Sequence, residues 1–240
     1  MIALSAAAVV TERIRLTTSI LLAPLHANTA LLAKQAVSLD RISGGRFVLA
    51  VGLGSRDDDY EASGLPTTGR GRRLDACLEE LKRIWSGEER GYAGAIGPTP
   101  TREGGPELII GGHSDVSFQR AARFGDGWIM GGGAPGVFSQ NADAVDQAWK
   151  AAGRSGRPRK LALAYFSLGA GARERADAYL KDYYGWLGEF AERIAAGAAV
   201  SEDMVKDYVA AFEQSGCDEL ILVPSSSELD QVSRLADAVM

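Results

Sequence analysis

The stretch Pro106–Met130, PELIIGGHSDVSFQRAARFGDGWIM, decides the fold. Glu107 to Ile110 is a short apolar run of the kind buried in a parallel strand, and Gly111-Gly112 interrupts it. A helix opens near Ser114, and Gly127 to Met130 is a second strand, so the stretch reads as a βαβ unit. Its glycine pair lets the chain turn tightly and leaves main-chain N–H groups free at a helix N-terminus, which suits a phosphate. A structural role accounts for the same residues, with Gly111 and Gly112 making the turn and Ser114 capping the helix. The motif alone does not choose between the two readings.

The same alternation extends outward from this unit. Toward the N-terminus, Arg13 to Ala23 (RIRLTTSILLA) is a β-branched and aliphatic strand closed by Pro24. Asn28 to Arg41 has apolar residues at helical spacing and stops at Ser43-Gly44-Gly45. Arg46 to Leu53 is a second parallel-type strand, with Gly52 and Gly54 at its end where backbone can approach a ligand. Arg56 to Gly71 reads as a long surface loop, and Leu74, Leu78, Leu81 and Trp85 form the apolar stripe of a following helix. Gly87 to Gly105 is loop.

Toward the C-terminus come a helix over Val137–Ala152, a strand over Lys160–Leu168 and one long helix over Arg173–Ala196. The aromatics of that helix, Tyr179, Tyr183, Tyr184, Trp186 and Phe190, read as core or subunit contacts, with a substrate cage as the alternative. A helix capped by Ser201, a strand over Glu219–Pro224 and a helix over Ser227–Val239 complete the chain. Six βα units in a row predict an α/β fold with parallel strands, as one domain over residues 1–240.

The 240 residues are 46% apolar and 24% charged, with a net charge of −5, as in an ordinary globular protein. Basic residues are interspersed with acidic ones, which argues against nucleic acid as a partner. Cys77 and Cys217 lie far apart without CxxC or Cys/His spacing, so neither a disulfide framework nor a zinc site is expected. Asp57-Asp58-Asp59 lacks the alternate spacing of a calcium loop and reads as solvated helix-start carboxylates; no metal is expected. Met1–Val10 has no basic start and reads as the end of a helix rather than a leader, and no run is long enough to span a membrane. The expected location is cytoplasmic, with reduced thiols.

Three segments resemble the luciferase-like monooxygenase family, which includes oxidoreductases using the deazaflavin coenzyme F420. They are TERIRLTTSILLAPLHANTALLAKQAVSLDRISGGRFVLAVGLG (Thr11–Gly54), the opening stretch, and GCDELILVPSSSELDQVSRLADAV (Gly216–Val239). The resemblance implies a TIM-type (β/α)8 barrel holding FMN or coenzyme F420 at the C-terminal ends of its strands. It implies that Gly111, Gly112, His113 and Ser114 hold the cofactor phosphate, and that Thr18, Ser19 and Ile20 lie against the ring system with a non-prolyl cis bond at Ser19–Ile20. Gly52 and Gly54 would line the same pocket.

The departure from the family is at the start of the chain. Family barrels begin with two further βα units, so this barrel is expected to be incomplete, with about six units present. Truncation, a misassigned start, or a shortened homodimer that covers its open edges would each account for that. The resemblance implies an oxidoreductase or monooxygenase that transfers hydride or activates oxygen on a small organic substrate. The competing expectation is a shortened flavin-binding or structural relative without catalysis. His26 and His113 are the only histidines, and the sequence nominates no catalytic acid or base.

Overall fold

Strands are separated by one or more helices along the chain, whose 240 residues the computed structural model describes throughout. By its internal contacts the chain divides into two units, Met1–Trp128 with Ala148–Pro158, and Ile129–Gln147 with Arg159–Met240. The first carries α1 (Ile2–Val10), β1 (Leu16–Thr17), β2 (Leu21–Leu22), α2 (Thr29–Ile42), β3 (Phe47–Gly52), α3 (Asp57–Ala62), α4 (Arg70–Trp85), β4 (Glu107–Gly111) and α5 (Asp115–Phe124). The division falls within β5 (Gly127–Met130). α6 (Pro135–Ala151), β6 (Arg159–Phe166), α7 (Ala172–Tyr183), α8 (Glu189–Ala196), α9 (Glu202–Gln214), β7 (Glu219–Pro224) and α10 (Asp230–Val239) follow. With β1 and β2 counted as one interrupted strand, six strand positions with their helices make a TIM-type β/α fold, incomplete against the eight strands of a closed barrel.

β3 organises the first unit. It pairs in parallel with β1 and β2 on one edge and with β4 on the other, and all six of its residues are buried. A strand covered on both faces must be apolar throughout, as FVLAVG is. The strand expected over Arg13–Ala23 is not continuous. Thr17 pairs with Val48 and Leu21 with Val51, so four steps along the edge (21 − 17) match three along β3 (51 − 48), and one extra residue is left over. The Thr18 hydroxyl fills the gap, donating to the Ala50 carbonyl (2.7 Å) and accepting from the Ala50 N–H (2.8 Å).

The helices of this unit follow the sequence pattern. In α2 the Asn28 side chain caps the first turn by accepting from the Leu31 N–H (2.9 Å), and Leu32, Ala33, Ala36, Val37 and Leu39 face inward. α4 buries Leu74, Leu78, Leu81 and Trp85 as expected, together with Cys77 and Ile84. The Arg56–Gly71 loop differs from expectation, since it contains α3. Its three first-turn aspartates complement the positive end of the helix dipole, and the fully buried Tyr60 ring anchors it by donating to the Leu53 carbonyl. The Gly87–Gly105 loop is tied down by Asp40, which is 1% exposed and accepts from the Thr101 N–H (2.8 Å) and hydroxyl (2.9 and 2.8 Å).

In the second unit β6 and β7 pair in parallel, from Leu161 opposite Glu219 to Phe166 opposite Pro224. Phe166, Leu168, Ala199, Val205 and Ala238 form its core. The Ser201 hydroxyl caps α9 by accepting from the Met204 N–H (3.3 Å). The single helix expected over Arg173–Ala196 is two, because the chain turns through a short 3-10 segment at Gly185–Leu187 and Gly188 takes a φ of +58°. That break turns most of its aromatics outward. Tyr184 packs with Tyr165, the two hydroxyls 2.6 Å apart, whereas Tyr179, Tyr183, Trp186 and Phe190 are 43–52% exposed rather than core. The last helix begins at Asp230, three residues later than expected from Ser227.

Replacing Asp40 with Ala strands the Thr101 donors and is expected to cost about 1.5–3 kcal/mol of unfolding free energy in urea titrations. Both cysteines are free, and burial pushes the Cys217 thiol up to about 11. Two units above the usual value leave about a hundredfold less thiolate at pH 8. Iodoacetamide labelling of Cys217 in the folded protein is therefore expected to be at least that much slower than in urea, and to accelerate as pH rises toward 11.

Candidate functional site

Three consecutive strand ends in the first unit meet at glycine. A Cβ built on Gly52 would lie 2.1 Å from the Ile20 Cδ1 and 3.9 Å from the Gly111 carbonyl oxygen, so the end of β3 touches the start of β2 and faces the end of β4. Gly54 has a φ of +72°, and a Cβ there would stand 2.9 Å from both Leu22 methyl carbons. The Ser19–Ile20 peptide is cis, as the resemblance implies. Ser19 is exposed and Ile20 half-buried, whereas Thr18 is buried with its hydroxyl committed to Ala50.

The Gly111–Ser114 turn stands at the end of β4. Gly112 adopts a φ of +150°, and a Cβ on it would fall 2.5 Å from the Ser117 Cβ and 2.6 Å from its hydroxyl, so only glycine fits. The Ser117 hydroxyl accepts from the Ser114 N–H (3.0 Å) and donates to the Ser114 carbonyl (2.6 Å), fixing the first turn of α5. The Ser117 and Phe118 N–H groups return to the Ser114 carbonyl (2.8 and 3.0 Å). Asp115 and Val116 supply the N–H groups that the helix itself leaves without acceptors. His113 and Ser114 are exposed, as is the Asp115 carboxylate of the first turn.

Two residues that the sequence reading passed over hold this turn. Trp128, fully buried in β5, donates its indole N–H to the Gly112 carbonyl (2.8 Å) and packs edge-on against Phe118 at 5.7 Å. Ser117 is the other, and the Ser114-x-x-Ser117 spacing, close to a capping box, was its signal. His26 stands apart, its N–H closing a 3-10 turn onto the Ala23 carbonyl (3.0 Å). Burial, and after it the positive charge of the chain's amino terminus, holds its imidazole below the usual value.

The sequence model of the luciferase-like monooxygenase family matches residues 1–219. The chain belongs to this family. It is 34% identical over 152 residues to an uncharacterised protein of Mycobacterium tuberculosis, covering 61% of this chain and 52% of that one. It is 27% identical over 184 residues to the FMNH2-dependent dimethylsulfone monooxygenase of Pseudomonas putida, covering 72% and 49%. The chain thus spans about half the length of these curated relatives. Among solved structures, an F420-dependent secondary alcohol dehydrogenase in complex with an F420–acetone adduct shares the fold with a TM-score of 0.78 at 18% identity, over 98% of this chain and 82% of that one. No helix is long and apolar enough to cross a membrane, and no group of three or more His, Cys, Asp or Glu is placed to hold a metal ion.

Trp128→Phe keeps the ring but removes the donor to Gly112. Its expected cost is about 1–3 kcal/mol of stability, read by urea unfolding, since the Gly112 carbonyl loses its partner.

Proposed function

We propose that this chain binds FMN or coenzyme F420 at the strand ends of its first unit and serves a flavin- or deazaflavin-dependent oxidoreductase acting on a small organic substrate. The observation that carries the reading is the meeting of Ile20, Gly52 and Gly111 beside a helix N-terminus with free amides. The donor set fits a cofactor phosphate: main-chain N–H groups at Asp115 and Val116, with the Ser114 hydroxyl and the His113 backbone beside them. Gly52, Gly54 and Gly112 let Ile20, Leu22 and Ser117 pack directly against the backbone, which fixes the strand ends and the turn that would flank the cofactor. When bound, the cofactor supplies the hydride or oxygen chemistry.

The chain's own part is to bind and orient. Ile20 offers an apolar contact held in place by Gly52, and the exposed Ser19 lies at the same strand break, with Thr18 holding that break in register from beneath. Gly54 keeps the loop after β3 clear of the pocket. Neither His26 nor His113 is assigned an acid or base role. The relatives support both cofactors, because one is named for FMNH2 and another holds an F420 adduct. A cytoplasmic homodimer remains part of this reading.

Titration with FMN and with F420, followed by isothermal calorimetry, tests it. Two variants should move affinity in opposite directions: Ser114→Ala removes a phosphate donor and weakens binding several-fold, whereas Asp115→Asn removes a like charge from the anion site and tightens it. If neither cofactor binds, or if both variants bind as the parent does, the phosphate assignment fails. Binding without turnover of alcohol or sulfone substrates would favour the non-catalytic relative instead.

A further inference from the structure

The first turn of α4 breaks a local electrostatic rule. Arg70 and Arg73 stand with Arg72 at the positive end of a 16-residue helix, with no acidic residue in that turn. Cations there are disfavoured by the helix dipole, so the arrangement needs a compensating negative charge. The protein supplies little of one. The Arg70 side chain makes no hydrogen bond and no ion pair, its only hydrogen bond being the backbone N–H to the Thr67 carbonyl (3.2 Å), and its buried Nη1 has no partner. Arg73 donates to the Thr68 (3.0 Å) and Pro66 carbonyls, which are neutral, while its buried Nε is also without a partner.

These two guanidinium groups share one platform. Each lies 5.8 Å from the ring centroid of Tyr60, whose hydroxyl donates to the carbonyl of Leu53, between Gly52 and Gly54. Asp59 and Glu61 flank that ring in sequence and neither pairs with Arg70 or Arg73, and Asp58 is taken by Arg56. Half-buried arginines stacked on an aromatic ring, with guanidinium donors that no protein acceptor takes, are suited to binding a planar or tetrahedral oxyanion.

We propose that Arg70, seconded by Arg73, binds an oxyanion, a carboxylate or phosphate carried by a small molecule, beside the C-terminal end of β3. This is a second anion site, separate from the Gly111–Ser114 turn. It rests on the proposed cofactor reading only for the source of the anion, which is either the substrate or an anionic tail of the cofactor. Arg70 acts as the binding residue. Tyr60 is a positioning residue, fixing the planes of both guanidinium groups.

The probe is inorganic phosphate, titrated into the full chain at low ionic strength and followed by calorimetry and by thermal melting. Arg70→Gln should weaken phosphate binding at least tenfold and abolish the phosphate-dependent rise in melting temperature. Arg72→Gln, the same charge change on an exposed neighbour, should leave both unchanged. Equal losses in the two variants would reduce the effect to net charge and overturn the proposal, as would phosphate affinity that survives Arg70→Gln. Circular dichroism of each variant separates misfolding from lost binding, and Arg70→Lys, which keeps the charge without the planar fork, should recover less than half of the affinity loss. Repeating the Arg70→Gln comparison with FMN and F420 assigns the source: a parallel loss of cofactor affinity places the oxyanion on the cofactor, and unchanged cofactor affinity places it on the substrate. Because the phosphate arm needs no flavin, failure of the cofactor reading and failure of this one are distinguishable.

Discussion

In a parallel sheet every strand ends on the same edge, so whatever a strand end carries is delivered to one place. At the end of β3 that delivery is possible because Gly52 has no side chain. Any larger residue would collide with Ile20, which would have to leave the surface it shares with β3, and would press toward the carbonyl at the end of β4. The neighbouring features depend on the same spacing. The extra residue between β1 and β2 brings Ile20 to the glycine rather than past it, and the Thr18 hydroxyl keeps the interrupted ladder joined while it does so. The site is thus a property of three strands in register rather than of any one motif.

Below that edge the energetics are ordinary. β3 is apolar and fully buried, α2 packs against it and α4 against α2, each with side chains at helical spacing. The buried charges are paired: Asp40 holds the Gly87–Gly105 loop, Arg120 is bound by Asp75 (2.6 Å), and Lys160 in the second unit by Asp146 (2.6 Å). Buried charge normally finds such partners. Among the buried donors that reach no acceptor, on Arg70, Arg73, Arg90, Arg175, Ser167 and Ser225, those of Arg70 and Arg73 share the Tyr60 ring, which is tied to the end of β3.

Much of this was legible in the sequence, and the misses have physical causes. Periodicity located α2, α4 and β3 because their burial is one-sided or complete, which leaves a clear pattern. It missed the break in the first strand because a bulge changes register without changing composition: TTSI is as β-prone as its neighbours. α3 was hidden because its aspartates look like solvent-facing loop until the buried Tyr60 is known. The α7–α8 break sat at Gly185 and Gly188, between aromatics read as core or subunit contacts, of which Tyr184 packs against the core and Tyr179, Tyr183, Trp186 and Phe190 are exposed. Within the candidate site, the glycines could be read directly, since each stands where a side chain has no room. Trp128 and Ser117 could not, because their roles are contacts made from another element or across one turn.

Trp128 carries one more consequence. Its indole N–H is tied to the carbonyl of the residue at the centre of the turn, and its ring is sealed from solvent against Phe118. An excited indole responds to the field along that bond, so a change of charge beside Gly112 would alter the light this residue emits. The packing that holds the turn rigid has also given it an optical gauge of its own electrostatics.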